Sequence, residues 1–289
     1  MTITETSTLQ IEPAGPALGA TIEGVDLAAG LSPDDARRLN QALHEHAVLI
    51  FRGQRLDFDS ALRFAAAFGE VAPASAVIRG ISDEYPQIRV VDGSLRNGRV
   101  SHWHSDITYM ANPPKAVLLW AHVTPPLGGD TMFAGLDAAY ASLSEPIRRV
   151  IDDLVAVHHA PPSIHEALAE YGSGAWDGQV VTRLDPVRHP VVRVHPVTGR
   201  RGLYVNPRFT SHIEGLRRHE SESLLALLYE HIARPEHVLR VAWAPGDVVL
   251  FDNRSVTHYA IDDYGTADRV MYHVNIAGDA PLVGVNGAI

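Results

Sequence analysis

The chain has 289 residues, a formal net charge of −10 and no cysteine. The acidic balance argues against a general nucleic-acid or anionic-membrane surface, since both need a basic face to replace counterions; the lack of cysteine removes disulfides, thiolate zinc sites and cysteine nucleophiles together. A hydrophobic content of 46% suffices for a substantial core, no apolar run reaches ~18 residues, and no basic region precedes an apolar one near the N-terminus, so the expectation is a cytoplasmic protein of one domain over residues 1–289, with residues 1–12 a flexible tail.

Residues 18–25 alternate well enough for a first strand. Ser32-Pro33-Asp34-Asp35 reads as a helix start, with Ser as N-cap, Pro at the first position and acids in the first turn; that helix should reach about His46. Residues 47–51 form a buried strand closed by Gly53. A second helix is expected after Asp59 and up to Gly69, with Leu62, Ala65, Ala66 and Phe68 facing the core. Residues 88–91 read as a strand and Asp92-Gly93 as a turn, from which a loop delivers the chain to His104. Residues 116–123 are a further strand, and the turn Pro125-Pro126-Leu127-Gly128-Gly129 leads into another at 130–133. Residues 138–154 read as helical with a break at Pro146, and 155–159 return to strand.

Over residues 160–189 the pattern dissolves into Pro, Gly and mixed charge. An irregular insertion of that length is expected to be a lid or binding loop, and the most disordered part of the chain. Residues 191–195 and 203–205 form a hairpin across Pro196-Val197-Thr198-Gly199. Residues 220–233 are an amphipathic helix with Leu224, Leu227, Leu228 and Ile232 on one side, and the last strands are 248–251 and 270–276. Many short strands with a few helices imply a mainly β chain with flanking helices, a sandwich or barrel rather than a doubly wound sheet.

In the β-prone run Ser101-His102-Trp103-His104-Ser105-Asp106-Ile107-Thr108-Tyr109, His104 and Asp106 would face the same way, because side chains alternate along a strand. Two ligands are not a metal site. The third candidate is His258, far downstream, after the turn and apolar strand of residues 245–251. Two imidazoles and one carboxylate suit Fe(II), and three protein ligands leave positions open for substrates and oxygen. With 16 histidines in the chain, the tripeptide alone is a weak signal and its flanking residues decide.

Those flanks are Trp103-His104-Ser105-Asp106, Gly128-Gly129-Asp130-Thr131, and Trp243 with Pro245-Gly246-Asp247, running on to His258-Tyr259-Ala260 and Arg269. They resemble the taurine dioxygenase family, in register from about Leu18 to about Pro281. The resemblance implies a double-stranded β-helix, a cupin-like jelly roll whose open mouth holds the metal. It implies Fe(II) on the catalytic ligands His104, Asp106 and His258, with 2-oxoglutarate and O2 as co-substrates, because these side chains cannot themselves reduce oxygen. Arg269 would grip the far carboxylate of 2-oxoglutarate with its planar fork, and Thr131 matches the family position whose hydroxyl assists. The implied reaction is oxidative decarboxylation of 2-oxoglutarate to succinate and CO2, coupled to hydroxylation of a substrate C–H bond. Asp106 favours hydroxylation, since related halogenases carry a small residue there so that chloride can bind.

The substrate side departs from the taurine pattern. Four residues after Arg269, where taurine enzymes and alkylsulfatases place an arginine for the anion, stands His273. Four before His104, an asparagine in taurine enzymes, stands Val100; the aligned His and Tyr near the start fall on Ala74 and Val77. A neutral imidazole offers one donor and one acceptor, whereas arginine keeps its charge at any ordinary pH. A substrate pocket of Val100, Tyr109, Ser163, Ile164, Phe209 and His273, with Ala74 and Val77, would be more apolar. It suits a small to medium organic molecule with at most a weakly anchored anion, and not taurine.

Arg208 and Arg79 stay open as a relocated anion clamp or as solvated surface groups, and His102, His158 and His159 read as structural. Alkylsulfatase-like or sulfonate-cleaving chemistry is the rival within the fold. A non-redox metal- or ligand-binding jelly-roll protein and a zinc hydrolase are the rivals outside it, and neither explains Thr131 and Arg269. The expected partner is a small-molecule substrate, and the expected assembly a homo-oligomer, dimer or tetramer.

Overall fold

The structure, a computed structural model, describes residues 8–94 and 100–283. Positions 1–7 of the expected tail and 95–99 of the loop before His104 lie outside the described residues. Strand β1 (Gln10–Pro13) pairs antiparallel with β2 (Ala20–Glu23). The later part of the expected tail is therefore a strand, held by Leu9, which is buried in the core.

Helix α1 (Pro33–His46) starts as its sequence dictates: the Ser32 hydroxyl oxygen accepts the Asp35 N–H, and Pro33 opens the first turn. After β3 (Val48–Phe51), α2 (Phe58–Ala66) opens with a reciprocal Asp57–Ser60 capping box. Its buried face carries Ala61, Phe64 and Ala65 while Ala66 is exposed, because burial of the large Phe64 ring sets the rotation of the helix.

Strands β4 (Ile88–Asp92), β5 (Ala116–Val123) and β6 (Thr131–Gly135) follow. The helical stretch beyond is two pieces, α3 (Leu136–Ser142) and α4 (Glu145–Ile151). The break precedes Pro146, which sits in the first turn of α4, where a missing N–H removes no bond.

After β7 (Val155–His158), the segment expected to be irregular holds α5 (Pro162–Tyr171) and the hairpin of β8 (Gly174–Trp176) and β9 (Gln179–Val181). Ile164, Leu168, Trp176, Val181 and Leu184 are all buried there in one cluster with Tyr109 and Phe209. The segment is thus not irregular throughout: its apolar groups are few but converge.

Then come β10 (Val187–Pro190), the expected hairpin of β11 (Val192–Val194) and β12 (Arg201–Leu203), and β13 (Thr210–Ile213). Helix α6 (Arg218–Ile232) buries the expected Leu228 and Ile232 and packs Leu224 against the core, but it adds Leu225 and leaves Leu227 43% exposed. The chain closes with β14 (Val238–Val241), β15 (Val248–Asp252), β16 (Val256–Ala260), β17 (Val270–Ile276) and β18 (Leu282–Val283).

Seven strands form the main sheet in the order β1-β2-β3-β15-β5-β17-β4, and β14-β6-β16 is a smaller sheet facing it. Both faces of the main sheet are covered, which is why its strands read as continuous apolar runs. Leu49, Phe51, Leu118, Trp120, Leu250 and Val274 pack with α1 and α2 on one side. Val48, Ile50, Val117, Leu119, Phe251 and Met271 pack with Phe133, Val241 and Val256 of the smaller sheet on the other. This is the cupin-like jelly roll. Its inner face is set by strand parity: Met271 and His273 of β17 point inward, as do Arg89 and Val91, their register partners on β4.

Candidate metal centre and co-substrate pocket

His104 and His258 exchange both backbone hydrogen bonds, His104 N–H to His258 O at 3.0 Å and His258 N–H to His104 O at 2.8 Å. This isolated antiparallel bridge sets their side chains next to each other, with ring centroids 4.1 Å apart. Of the expected strand only this bridge forms. Residues 106–109 form a turn instead, and the turn rather than strand alternation brings Asp106 round. One ligand atom from each of His104, Asp106 and His258 lies within 4.8 Å of the other two, and among the described residues they form the sole such cluster of three.

The turn is held from beneath. Asn253 Oδ1 accepts the Asp106 N–H at 2.6 Å, while its Nδ2 donates to the carbonyls of Asp106 and Pro114. The Ser105 hydroxyl donates to Val256 O at 2.8 Å. Ile107 has φ +57°, a strained conformation for a β-branched residue, and the next residue is fixed from several sides. Thr108 Oγ1 bonds His158 Nδ1 at 3.0 Å and accepts from Asn206 Nδ2 at 3.2 Å; its carbonyl accepts from His189 Nε2 at 2.9 Å. His158 is therefore structural, as expected.

The donor set fits a divalent metal. His104 Nδ1 donates to His102 O at 2.8 Å, which fixes the tautomer and leaves Nε2 as a lone pair 3.7 Å from Asp106 Oδ1. Burial, then the adjacent His258, holds His104 well below its ordinary pKa, and burial lowers His258 as well. Both rings thus offer nitrogen lone pairs at neutral pH. Burial alone would raise Asp106, but the neighbouring His258 and a hydrogen bond from His273 hold it far below the usual carboxylate range. His273 Nε2 lies 3.2 Å from Asp106 Oδ2, leaving Oδ1 turned towards His104.

Across the same cavity lies Arg269, 5% exposed and, among the described residues, without a carboxylate partner. Burial accordingly lowers its pKa. Its Nε donates to Gly129 O at 2.9 Å and its Nη2 lies 3.5 Å from Thr131 Oγ1. Thr131 Oγ1 also accepts the Trp243 indole N–H at 2.9 Å, so its own proton is free to point elsewhere. Gly129 has φ +70°, and a Cβ there would stand 3.1 Å from Arg269 Cδ; the glycine is what lets the loop carbonyl reach the guanidinium.

Of the residues assigned to substrate, Val100 and His273 line this cavity with the three metal-ligand candidates. Tyr109, Ile164 and Phe209 come together in the buried cluster alongside, with Phe209 6.1 Å from the His104 ring and 5.2 Å from Tyr109. Ser163 lies half-buried on α5, outside the cavity lining. Arg79 stacks over Tyr171 in a separate groove. Asn253 and Arg89 were not singled out from sequence. Asn253 carries no spacing signal, whereas a charged residue at an inward position of the apolar run 88–91 was a signal for Arg89.

The family model described as "Taurine catabolism dioxygenase TauD, TfdA family" matches residues 10–275. An alpha-ketoglutarate-dependent sulfate ester dioxygenase of Pseudomonas putida is 37% identical over 297 residues, covering 97% of this chain and 93% of that protein. An (S)-phenoxypropionate/alpha-ketoglutarate-dioxygenase of Sphingobium herbicidovorans is 36% identical, covering 93% of this chain and 95% of that one. Among solved structures, a taurine dioxygenase from Burkholderia xenovorans superposes with a TM-score of 0.81 at 35% identity, covering 96% of this chain and 93% of its own. AAD-2 in complex with Mn(II) and N-oxalylglycine superposes with a TM-score of 0.79 at 30% identity, covering 96% of this chain and 100% of its own.

Proposed function

This chain belongs to the TauD/TfdA family and is an Fe(II)- and 2-oxoglutarate-dependent dioxygenase, and we propose that His104, Asp106 and His258 hold its iron while Arg269 and Thr131 hold the far carboxylate of 2-oxoglutarate. The observation that carries this assignment is one cavity with three convergent ligand atoms on one wall and a buried, carboxylate-free arginine on the other. The metal and the keto acid together supply the electrons for O2 activation when bound. The protein's own part is positional. Gly129 O and Thr131 aim the Arg269 fork, the Trp243 indole frees the Thr131 proton for a ligand oxygen, and His273 keeps Asp106 ionised and turned.

The primary substrate in this reading is a small to medium organic molecule other than taurine, hydroxylated at a C–H bond. Val100 and the apolar walls Leu119 and Met271 support it, as do sulfate esters and phenoxypropionate in the names of relatives. A zinc hydrolase would need neither Arg269 nor Thr131.

The reading keeps a single domain, supported by the family match over residues 10–275. It keeps a cytoplasmic location, supported by the lack of cysteine and by no helix, among the described residues, being long and apolar enough to cross a membrane. A homo-oligomer, dimer or tetramer, stays part of the reading. The α5 segment belongs to the reading as a cover over the Tyr109–Phe209 cluster.

The assignment is tested by Arg269→Ala, which removes a charge-assisted bidentate pair. It is expected to raise the 2-oxoglutarate requirement by roughly tenfold or more, with a far smaller effect on the primary substrate. Equal effects on both would contradict the role.

A further inference from the structure

His273 lines the cavity, and its imidazole is already bonded to Asp106. The cavity nevertheless contains a second cation. Arg89 on β4 is the register partner of His273 on β17, and directly opposed residues of antiparallel strands project to the same face. Arg89 therefore lines the cavity together with His104, Asp106 and His258.

A third guanidinium approaches from the segment before β13. Arg208 is half-buried and lies over the Phe209 ring at 5.4 Å, and that ring is the one beside His104. Stacked on that ring, it lies close enough for its charge to act on His104, His258 and Asp106. Burial, and next the charge of Arg89, lowers its pKa.

Neither Arg89 nor Arg208 has a side-chain hydrogen bond or an acidic ion-pair partner among the described residues. The nearby carboxylate, Asp106, is committed to His273 and to the ligand cluster. Two partly desolvated guanidinium groups that repel each other are costly unless an anion joins them. The planar forks match the paired oxygens of a sulfate, sulfonate or carboxylate.

We propose that Arg89 and Arg208 together clamp the oxyanion of the primary substrate. The substrate is then an organic oxyanion whose apolar body lies along Val100, Leu119 and Met271. It departs from the expectation of at most a weakly anchored anion and puts the anchor on β4 and the turn before β13. The assignment rests on the dioxygenase reading above.

The test is calorimetric binding to protein loaded with Mn(II) and 2-oxoglutarate, which reads affinity without turnover. The ligands are hexyl sulfate, hexanesulfonate and phenoxypropionate, with hexanol and phenoxypropanol as uncharged counterparts. At least one anion should bind more tightly than its counterpart, and Arg89→Gln and Arg208→Gln should each weaken it by roughly tenfold or more. Arg89→Lys should retain part of the affinity, because it keeps the charge and loses the fork. The two arginines lie on different elements, so each variant tests the clamp without the other. Unchanged 2-oxoglutarate binding in the same samples shows that the site is otherwise intact. The clamp is overturned if no anion binds more tightly than its counterpart, or if either glutamine variant binds the anion as wild type does. Failure of wild type to bind 2-oxoglutarate at all would overturn the dioxygenase reading and the clamp with it.

Discussion

Asp106 owes its position to one side chain that no motif marks. Asn253 meets both its N–H and its carbonyl, and is itself fully buried. Asn253→Ala would leave those two backbone groups unpaired beneath a turn already strained at Ile107. Loss of such an outer support commonly lowers metal affinity by about 10- to 100-fold, and we expect a fall of that size in Mn(II) or Fe(II) affinity measured by titration. Affinity unchanged from wild type would show that the turn holds Asp106 without it. At this scale His104, Asp106, His258, Thr131 and Arg269 were legible because each sits in a motif with its own flanks. Asn253 was not, because its partners are backbone groups far away in sequence. Arg89 was overlooked although its place in a buried strand was readable.

At the scale of elements, the strands of the main sheet were legible from their apolar runs, and the helix starts from Ser32 and Pro33. The stretch of residues 160–189 was not. Its strands are three residues long and its helix begins at a proline pair, so no period could establish itself. What orders it is tertiary: Trp176 is 4% exposed in the Tyr109–Phe209 cluster, with its indole N–H donating to Asn112 O at 2.9 Å. Trp176→Ala should therefore cost about 3–5 kcal/mol of stability in urea unfolding. A cost below about 1 kcal/mol would mean that the segment is the loosely held excursion its composition suggested.

For the molecule as a whole, the jelly roll buries a set of uncharged histidines around its metal mouth. Burial pulls His189 down to about 4, against the hydrogen bonds that it donates to the Thr108 and Met110 carbonyls, and holds His158 well below its ordinary value. The unfolded chain takes up these protons near pH 6.5 and the folded chain does not, so the unfolded state binds more protons between about pH 6.5 and 4. Stability is complete above that window and falls as the pH drops through it, by about 2 kcal/mol for His189 alone at pH 5. Urea midpoints of the metal-free protein at pH 7 and pH 5 check this, and a midpoint that does not fall would contradict the burial of neutral imidazoles. The sheet order itself was not readable from periodicity, because strands covered on both faces carry no sign of which neighbour they take; the family resemblance supplied the jelly roll but not the order of its strands.

The central claim is that one cavity joins iron on His104, Asp106 and His258 to 2-oxoglutarate on Arg269. Its most direct measurement is succinate formed from 2-oxoglutarate with Fe(II) and O2, in wild type and in His104→Ala and Asp106→Ala, with bound Fe(II) per chain determined on the same samples. The account predicts succinate formation by wild type alone and loss of bound iron in both variants. Full succinate formation by either variant, or iron retained at the wild-type level in both, would contradict it.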